Sequence, residues 1–291
     1  MKTLHNTMVK IVFTVFLLTL ALNVSCIFDA FDDDDGGVSN LDYEARESFH
    51  FDIPDVGFNA LHVEAINGNV EVIAIAQLDT IRIEGDRIVK SESLEDAQEH
   101  LPNLLVIIDQ STNNLIIRTE QPDQTNGRSY QVDYKIHIPA DWGQHLLQIN
   151  GNISSRDSQG NIHITATNGN IFVNNCQSVV EAVLTNGNIS VTDVTGNVYG
   201  HLTNGNIVTK MILTENGVCG LQTVNGLVQL AIPTTTSATF SASTVNGSAS
   251  ISNLTLNNSH ITLKSISGTL GDGKGTITLR STNGNVSATG Y

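Results

Sequence analysis

Asn150-Gly151-Asn152-Ile153 returns as Asn168-Gly169-Asn170-Ile171, Asn186-Gly187-Asn188-Ile189 and Asn204-Gly205-Asn206-Ile207. The four copies begin 18 residues apart. At the half period stand Gly160-Asn161-Ile162 and Gly196-Asn197-Val198, each nine residues after an Asn-Gly glycine. Asn and Gly accept the positive φ angles of tight turns, Gly because it has no Cβ. Between the turns the residues alternate, as in Ile162-His163-Ile164-Thr165-Ala166 and Ile189-Ser190-Val191-Thr192. That period of two, with β-branched residues on one side, reads as short half-buried strands.

Turn and short strand repeated at fixed length predict an all-β fold, a β-solenoid of stacked coils. One such coil buries too few apolar side chains to offset the backbone entropy of ordering it. Stacking adds a backbone hydrogen-bond ladder and a continuous core. Identical turns would then lie one above another, and Asn168, Asn186 and Asn204 would form a side-chain amide ladder. A run of β-hairpins uses the same Asn-Gly turns, but hairpins have no reason to keep a period of 18.

The pattern extends in both directions. Asn67-Gly68-Asn69 sits between the alternating segments Leu61–Ile66 and Val70–Ile73. After Gly205 the glycines Gly226, Gly247 and Gly268 follow at 21-residue steps, and Asn283-Gly284-Asn285-Val286 restores the original motif. The longer step implies longer strands or a bulged corner. The turn positions read as structural are therefore Asn67, Gly68, Asn150, Gly151, Asn168, Gly169, Asn186, Gly187, Asn204 and Gly205, followed by Asn225, Gly226, Asn246, Gly247, Asn283 and Gly284.

The chain divides by composition. Residues 1–25 have the form of an export signal, with Lys2 and Lys10 ahead of an apolar run from Ile11 to Leu22. Cys26 follows Val24 and Ser25 and is the candidate lipidation site, although Asn23 stands where such sites usually carry Leu. The alternatives are ordinary cleavage nearby and an incidental Cys in a cleaved leader. Residues 26–48, with Asp32-Asp33-Asp34-Asp35-Gly36-Gly37, read as an acidic flexible tether. Residues 49–142 read as a β-rich capping region, which would cover the open strand edge of the solenoid. Within it Ser93 is the expected N-cap of one short helix ended by Pro102. Residues 104–108 and 115–118 are expected to form a hairpin across Asn113-Asn114. Residues 143–291 read as the solenoid proper, with coils of 18–21 residues.

The formal net charge is −15. It lies entirely in residues 1–150, since the later half holds five acidic and five basic residues. No basic stripe is available to displace counterions, so nucleic acid is excluded as a partner. The solenoid surface is a nearly uncharged field of Ser, Thr and Asn. Its carboxylates, Asp157, Glu181, Asp193, Glu215 and Asp272, read as scattered and without a common phase. His163, His201 and His260 have no ligand spacing, and no CxxC motif is present. The acid–base pairs of a polysaccharide-cleaving β-helix are not recognisable. The reading is therefore not an enzyme, with no metal and no cofactor expected. Cys176 and Cys219 fall at different phases about two coils apart, too far for a disulfide, and read as separate buried thiols. Phe172 and Tyr199 are expected on outer faces, either as isolated surface aromatics or as platforms for a surface glycan.

The repeated Thr-Asn-Gly-Asn-Ile units resemble a bacterial envelope family of candidate adhesins, classed as a domain of unknown function. So do Ile138-Pro139-Ala140-Asp141 before the first repeat and the Gly271-to-Val286 segment with its terminal Asn283-Gly284-Asn285. The resemblance covers about residues 60–290. It implies a repetitive β-solenoid on an exported protein of the cell envelope, with adhesion suggested and no catalytic residues to carry over. Three functions remain open. The first is a membrane-tethered protein presenting its surface for adhesion. The second is a periplasmic scaffold or envelope-stress accessory docking an envelope protein through the acidic N-terminal region. The third, a minor one, is a polysaccharide-active β-helix enzyme.

Overall fold

The computed structural model describes residues 41–111 and 113–291. The expected export signal, Cys26 and the first part of the tether lie outside the described residues. The N-terminal part contains β1 (Tyr43–Pro54), β2 (Ala60–Asn67), β3 (Val70–Ile75), β4 (Thr80–Ser91), helix α1 (Leu94–His100), β5 (Leu105–Gln110), β6 (Asn114–Glu120) and β7 (Ser129–Pro139). The central part runs through β8 (Gly143–Asn150), β9 (Ile153–Arg156), β10 (Ile162–Asn174), β11 (Val179–Asn204), β12 (Ile207–Leu213), β13 (Val218–Asn225) and β14 (Val228–Ile232). The C-terminal part holds β15 (Ala238–Asn246), β16 (Ala249–Ser252), β17 (Leu256–Ile261), β18 (Ser265–Leu270), β19 (Gly275–Asn283) and β20 (Val286–Gly290).

Each central coil has two legs. The first enters the Asn-Gly-Asn turn and the second leaves it, and the two pack face to face. The first leg of one coil contributes Ile162, Ile164 and Ala166, and its second leg contributes Ile171, Val173 and Cys176, all buried. One coil later the same places hold Val180, Ala182 and Leu184, then Ile189, Val191 and Val194. Neighbouring coils pair in parallel and in register, Asn168 with Asn186 and Ile171 with Ile189. The fold is thus an all-β solenoid whose apolar row is continuous from coil to coil.

The longer step after Asn204 is absorbed at one corner. Ile189 pairs with Ile207, a step of 18, while Val198 pairs with Cys219, a step of 21. The three extra residues therefore fall between these pairs, where β12 runs on to Leu213 and a turn closes from Gly217 N–H to the Thr214 carbonyl at 2.9 Å.

Stacking order departs from chain order at both ends. β13 and β14 are followed not by β15 and β16 but by β19 and β20, and Asn225 pairs with Asn283. β15 and β16 then pair with the far side of β19 and β20, Asn246 with Asn283. The last motif of the sequence is thus inserted as the penultimate coil. Gly268, expected as a further turn, lies instead within β18, which runs antiparallel to β15 and β17 and pairs Gly268 with Phe240. Its segment, Ser265-Ile266-Ser267-Gly268, lacks the Asn that the turn uses.

The N-terminal end is built the same way. β2 and β3 form a coil that stacks on β8 and β9, Asn67 on Asn150 and Val70 on Ile153. Their other side is covered by β6 and β7. β4 then runs antiparallel to β7 and to β1, and β5 antiparallel to β6. β1 begins at Tyr43, inside the segment read as tether to residue 48, and only Ala45 of Tyr43–Ser48 turns inward. A single small inward residue leaves no apolar alternation to detect. Helix α1 is N-capped by Ser93, whose hydroxyl accepts the Asp96 N–H at 3.1 Å, and Pro102 lies in a 3₁₀ turn that follows.

Candidate interaction surface

The turns of the coils stack into one polar edge. Asn150 Nδ2 donates to Asn67 Oδ1 at 2.8 Å, Asn168 to Asn150 at 2.8 Å, and Asn186 to Asn168 at 2.9 Å. Asn204, Asn225, Asn283 and Asn246 continue the chain in that order at 2.7–2.8 Å. All eight amides point the same way, and Asn67 closes the end on the Tyr130 carbonyl at 3.0 Å. A second ladder runs beside the first. Asp133 Oδ1 accepts from Asn69 N and Nδ2, and Asn69, Asn152, Asn170 and Asn188 each accept the backbone N–H of the next coil.

The glycine between the two ladders has no room for a side chain. A Cβ built on Gly151, Gly169, Gly187, Gly205, Gly226 or Gly284 would collide with the carbonyl oxygen of the stacked glycine below. At the inward position two residues before the Asn, Thr223, Ser281 and Thr244 donate to the glycine carbonyls of Gly205, Gly226 and Gly284 at 3.2, 3.0 and 2.7 Å.

The outer side of the first leg carries a column of different chemistry. His62, His145, His163 and Glu181 occupy equivalent places on successive coils. The rings of His62 and His145 lie 4.6 Å apart, and those of His145 and His163 5.0 Å apart. Glu64 accepts from His62 Nε2 at 2.8 Å, and Glu181 lies 3.2 Å from His163 Nδ1. His145 and His62 share a 2.7 Å contact between their Nδ1 atoms, which requires one ring to offer a lone pair. Burial first, and then the neighbouring imidazoles, hold His145 below the ordinary imidazole range.

The carboxylates of the solenoid are engaged by neighbouring side chains: Asp157 by Asn175 and by Arg156, which also meets Glu71, Asp193 by Lys210, and Glu215 by Lys274. Asp157 and Asp193 do share a phase, contrary to the expectation, with Asn175 between them in the same column. All three have left-handed backbones at one corner, φ 65°, 53° and 55°. Short polar side chains tolerate that conformation, so the column is explained by the turn. The signal was present in the sequence, since each stands six residues after an Asn-Gly glycine. Among the described residues no group of three His, Cys, Asp or Glu side chains is placed to hold a metal ion.

Cys176 and Cys219 are free and buried. Burial pushes both thiols up, Cys219 to about 12, which keeps them protonated. Phe172 is exposed on a second leg, whereas Tyr199 is half-buried on a first leg, so the two do not form one platform. A 460 Å³ groove lies at the N-terminal end of the ladder, against Asn67, Gly68, Arg128 and Tyr130, but its Arg128 is already bound to Asp96 at 2.6 Å. The acidic side chains of β1 and β4 are likewise paired, Glu47 with Arg87, Asp52 with Arg82, and Asp86 with Arg46.

The sequence profile of the Toastrack DUF4097 family matches residues 44–289. The chain belongs to the Toastrack DUF4097 family. No curated protein matches the sequence. Among solved structures, a candidate cell adhesion protein from Clostridium sporogenes aligns at 8% identity and a TM-score of 0.34, over 85% of this chain and 100% of that one. A candidate adhesin from Bacteroides fragilis aligns at 11% identity and 0.33, over 84% and 97%. A candidate lipid-binding protein from Parabacteroides distasonis aligns at 10% identity and 0.23, over 84% and 96%. The Toastrack match spans the coils and both antiparallel ends described above. Among the described residues no helix of this Toastrack chain is long and apolar enough to cross a membrane.

Proposed function

We propose that this Toastrack chain is a non-enzymatic, exported cell-envelope protein that presents the outer faces of its solenoid for adhesion or surface interaction. The observation that carries the reading is the division of side chains within each coil. The inner row is apolar and closed, while the turn edge is a ladder of Asn amides repeated at the strand spacing of about 4.8 Å along the stack. A periodic neutral polar surface suits many weak contacts with another periodic surface. The cation-paired carboxylates of the solenoid support binding over bond cleavage, which needs acid and base groups about a common reacting atom. The export signal and the candidate lipid site at Cys26 give the solenoid a membrane tether in this reading.

Antibody labelling of a C-terminal epitope tag on intact and on permeabilised cells tests it. Labelling of intact cells, with attachment reduced when the gene is deleted, is the expected result. Labelling only after permeabilisation would overturn the adhesion reading in favour of a periplasmic scaffold.

A further inference from the structure

Gly220 lies in the interior of β13, where glycine weakens a strand. Its backbone is not in the left-handed region, and a Cβ built there would meet nothing closer than Tyr199 Cδ1 at 3.6 Å. The turn glycines are demanded by the stacked carbonyls; Gly220 is demanded by nothing in the fold. What its missing side chain does is open the surface. Tyr199, Gly220 and Thr278 stand side by side on successive coils. The outer two are therefore about 9.6 Å apart, two strand spacings. The gap between them is a 240 Å³ notch, bordered along one side by His201, Gln222 and Arg280.

Arg280 is the second anomaly. Among the described residues every other arginine and lysine faces a carboxylate, or in the case of Lys264 the Val245 carbonyl. Arg280 alone has no such partner. Its cross-strand neighbours are Gln222 and Ser243, neither of them acidic. Glu181, one 18-residue step before Tyr199, is turned to His163 at 3.2 Å. A free guanidinium presents a planar fork of donors that matches a carboxylate. A tyrosine ring beside an empty strand position offers an apolar edge to a saturated ring, with the gap setting its thickness.

The geometry points to this notch as a binding site for a carboxylated pyranose, the repeating unit of an acidic polysaccharide, with Arg280 as the carboxylate anchor and Gly220 as the seat of the ring. Gln222 and Thr278 supply hydrogen bonds to ring hydroxyls. The inference rests on the adhesion reading and gives it a ligand class.

Titration of the protein with trigalacturonate, galactotriose and triglutamate, followed by calorimetry and by the Tyr199 ring signals in NMR spectra, tests it. Trigalacturonate is expected to bind and shift Tyr199, with galactotriose and triglutamate at least tenfold weaker. Arg280→Gln should weaken trigalacturonate at least tenfold, and Gly220→Val, which fills the notch and keeps the charge, should abolish binding. Unchanged melting certifies the fold of each variant, and Tyr199→Ser replaces Gly220→Val if that variant melts early. Absence of binding, equal binding of the acidic and neutral sugars, equal binding of triglutamate, or indifference to Gly220→Val would each overturn the assignment. Intact-cell labelling and attachment that persist alongside such a result would leave the adhesion reading standing without this site.

Discussion

At the scale of single residues the fold depends on two groups that no other side chain replaces. Gly187 sits at φ 133° with the Gly169 carbonyl where its Cβ would be. Gly187→Ala therefore meets both backbone strain, roughly 1–3 kcal/mol, and a collision with a main chain that the coils on both sides hold in place. The expected outcome is a fall of at least that size in urea unfolding free energy, while Gly220→Ala, where the space is open, should change it little. Asn186 is constrained by direction instead of size. It donates to Asn168 and accepts from Asn204, so a mid-ladder residue must do both. Asp133 is tolerated at the end of the second ladder because there it only accepts. Asn186→Asp would set an acceptor against the Asn168 oxygen and place a charge on the edge. We expect a loss of about 1–3 kcal/mol at neutral pH, partly recovered when the carboxylate is protonated in acid, read from unfolding at the two pH values.

At the scale of elements, the outer column of the first legs couples stability to pH. His145 in this column is held below the ordinary imidazole range by burial first and then by His62 and His163, and outside the column His137, on β7 beside β3, is lowered by burial first and then by Lys135. The unfolded chain therefore binds more protons than the folded one once the pH falls below about 6.5, and stability is lost with acidification in that window. Glu64, opposite Arg118, and Glu181 flank the column and moderate the repulsion among its imidazoles. A melting temperature that declines from about pH 7 to pH 5, with a shallower decline for His145→Gln, is the expected result. A flat profile in the wild type would show that the column opens without cost. The Asp96 carboxylate, held low by hydrogen bonds from Arg128 first and then Ser91, adds a loss of the same sign in a separate, more acidic window. The coil itself was legible in the sequence because Asn150, Asn168, Asn186 and Asn204 keep one period and the residues between them alternate. The column was not, because His62 and His145 are 83 residues apart and become neighbours only when the β2–β3 coil is stacked on β8 and β9.

At the scale of the whole molecule, the ends of the stack carry the information that a period cannot. Both ends leave chain order: β2 and β3 are enclosed between β6–β7 and β8–β9, and β19 and β20 between β13–β14 and β15–β16. A steady 21-residue step from Gly205 through Gly247 hides the second of these. Nothing local distinguishes a coil that stacks on its predecessor from one that leaves a space to be filled later by the chain terminus. The restored motif at Asn283 was the available clue, since a coil identical to the central ones fits between central-type neighbours. The arrangement has a consequence for truncation. Residues 238–270 touch the solenoid chiefly through β19 and β20, so a chain that ends at residue 270 keeps β15 to β18 but lacks the strands they stack upon. Deleting residues 271–291 should therefore release the whole segment after Ile232 to proteolysis, while residues 41–232 remain protected by their own parallel stack. Limited proteolysis with mass spectrometry distinguishes the outcomes. Trimming of the shortened chain back to about residue 232 fits the inserted coil, whereas protection up to residue 270 would require β15 and β16 to stack directly on β13 and β14, in chain order.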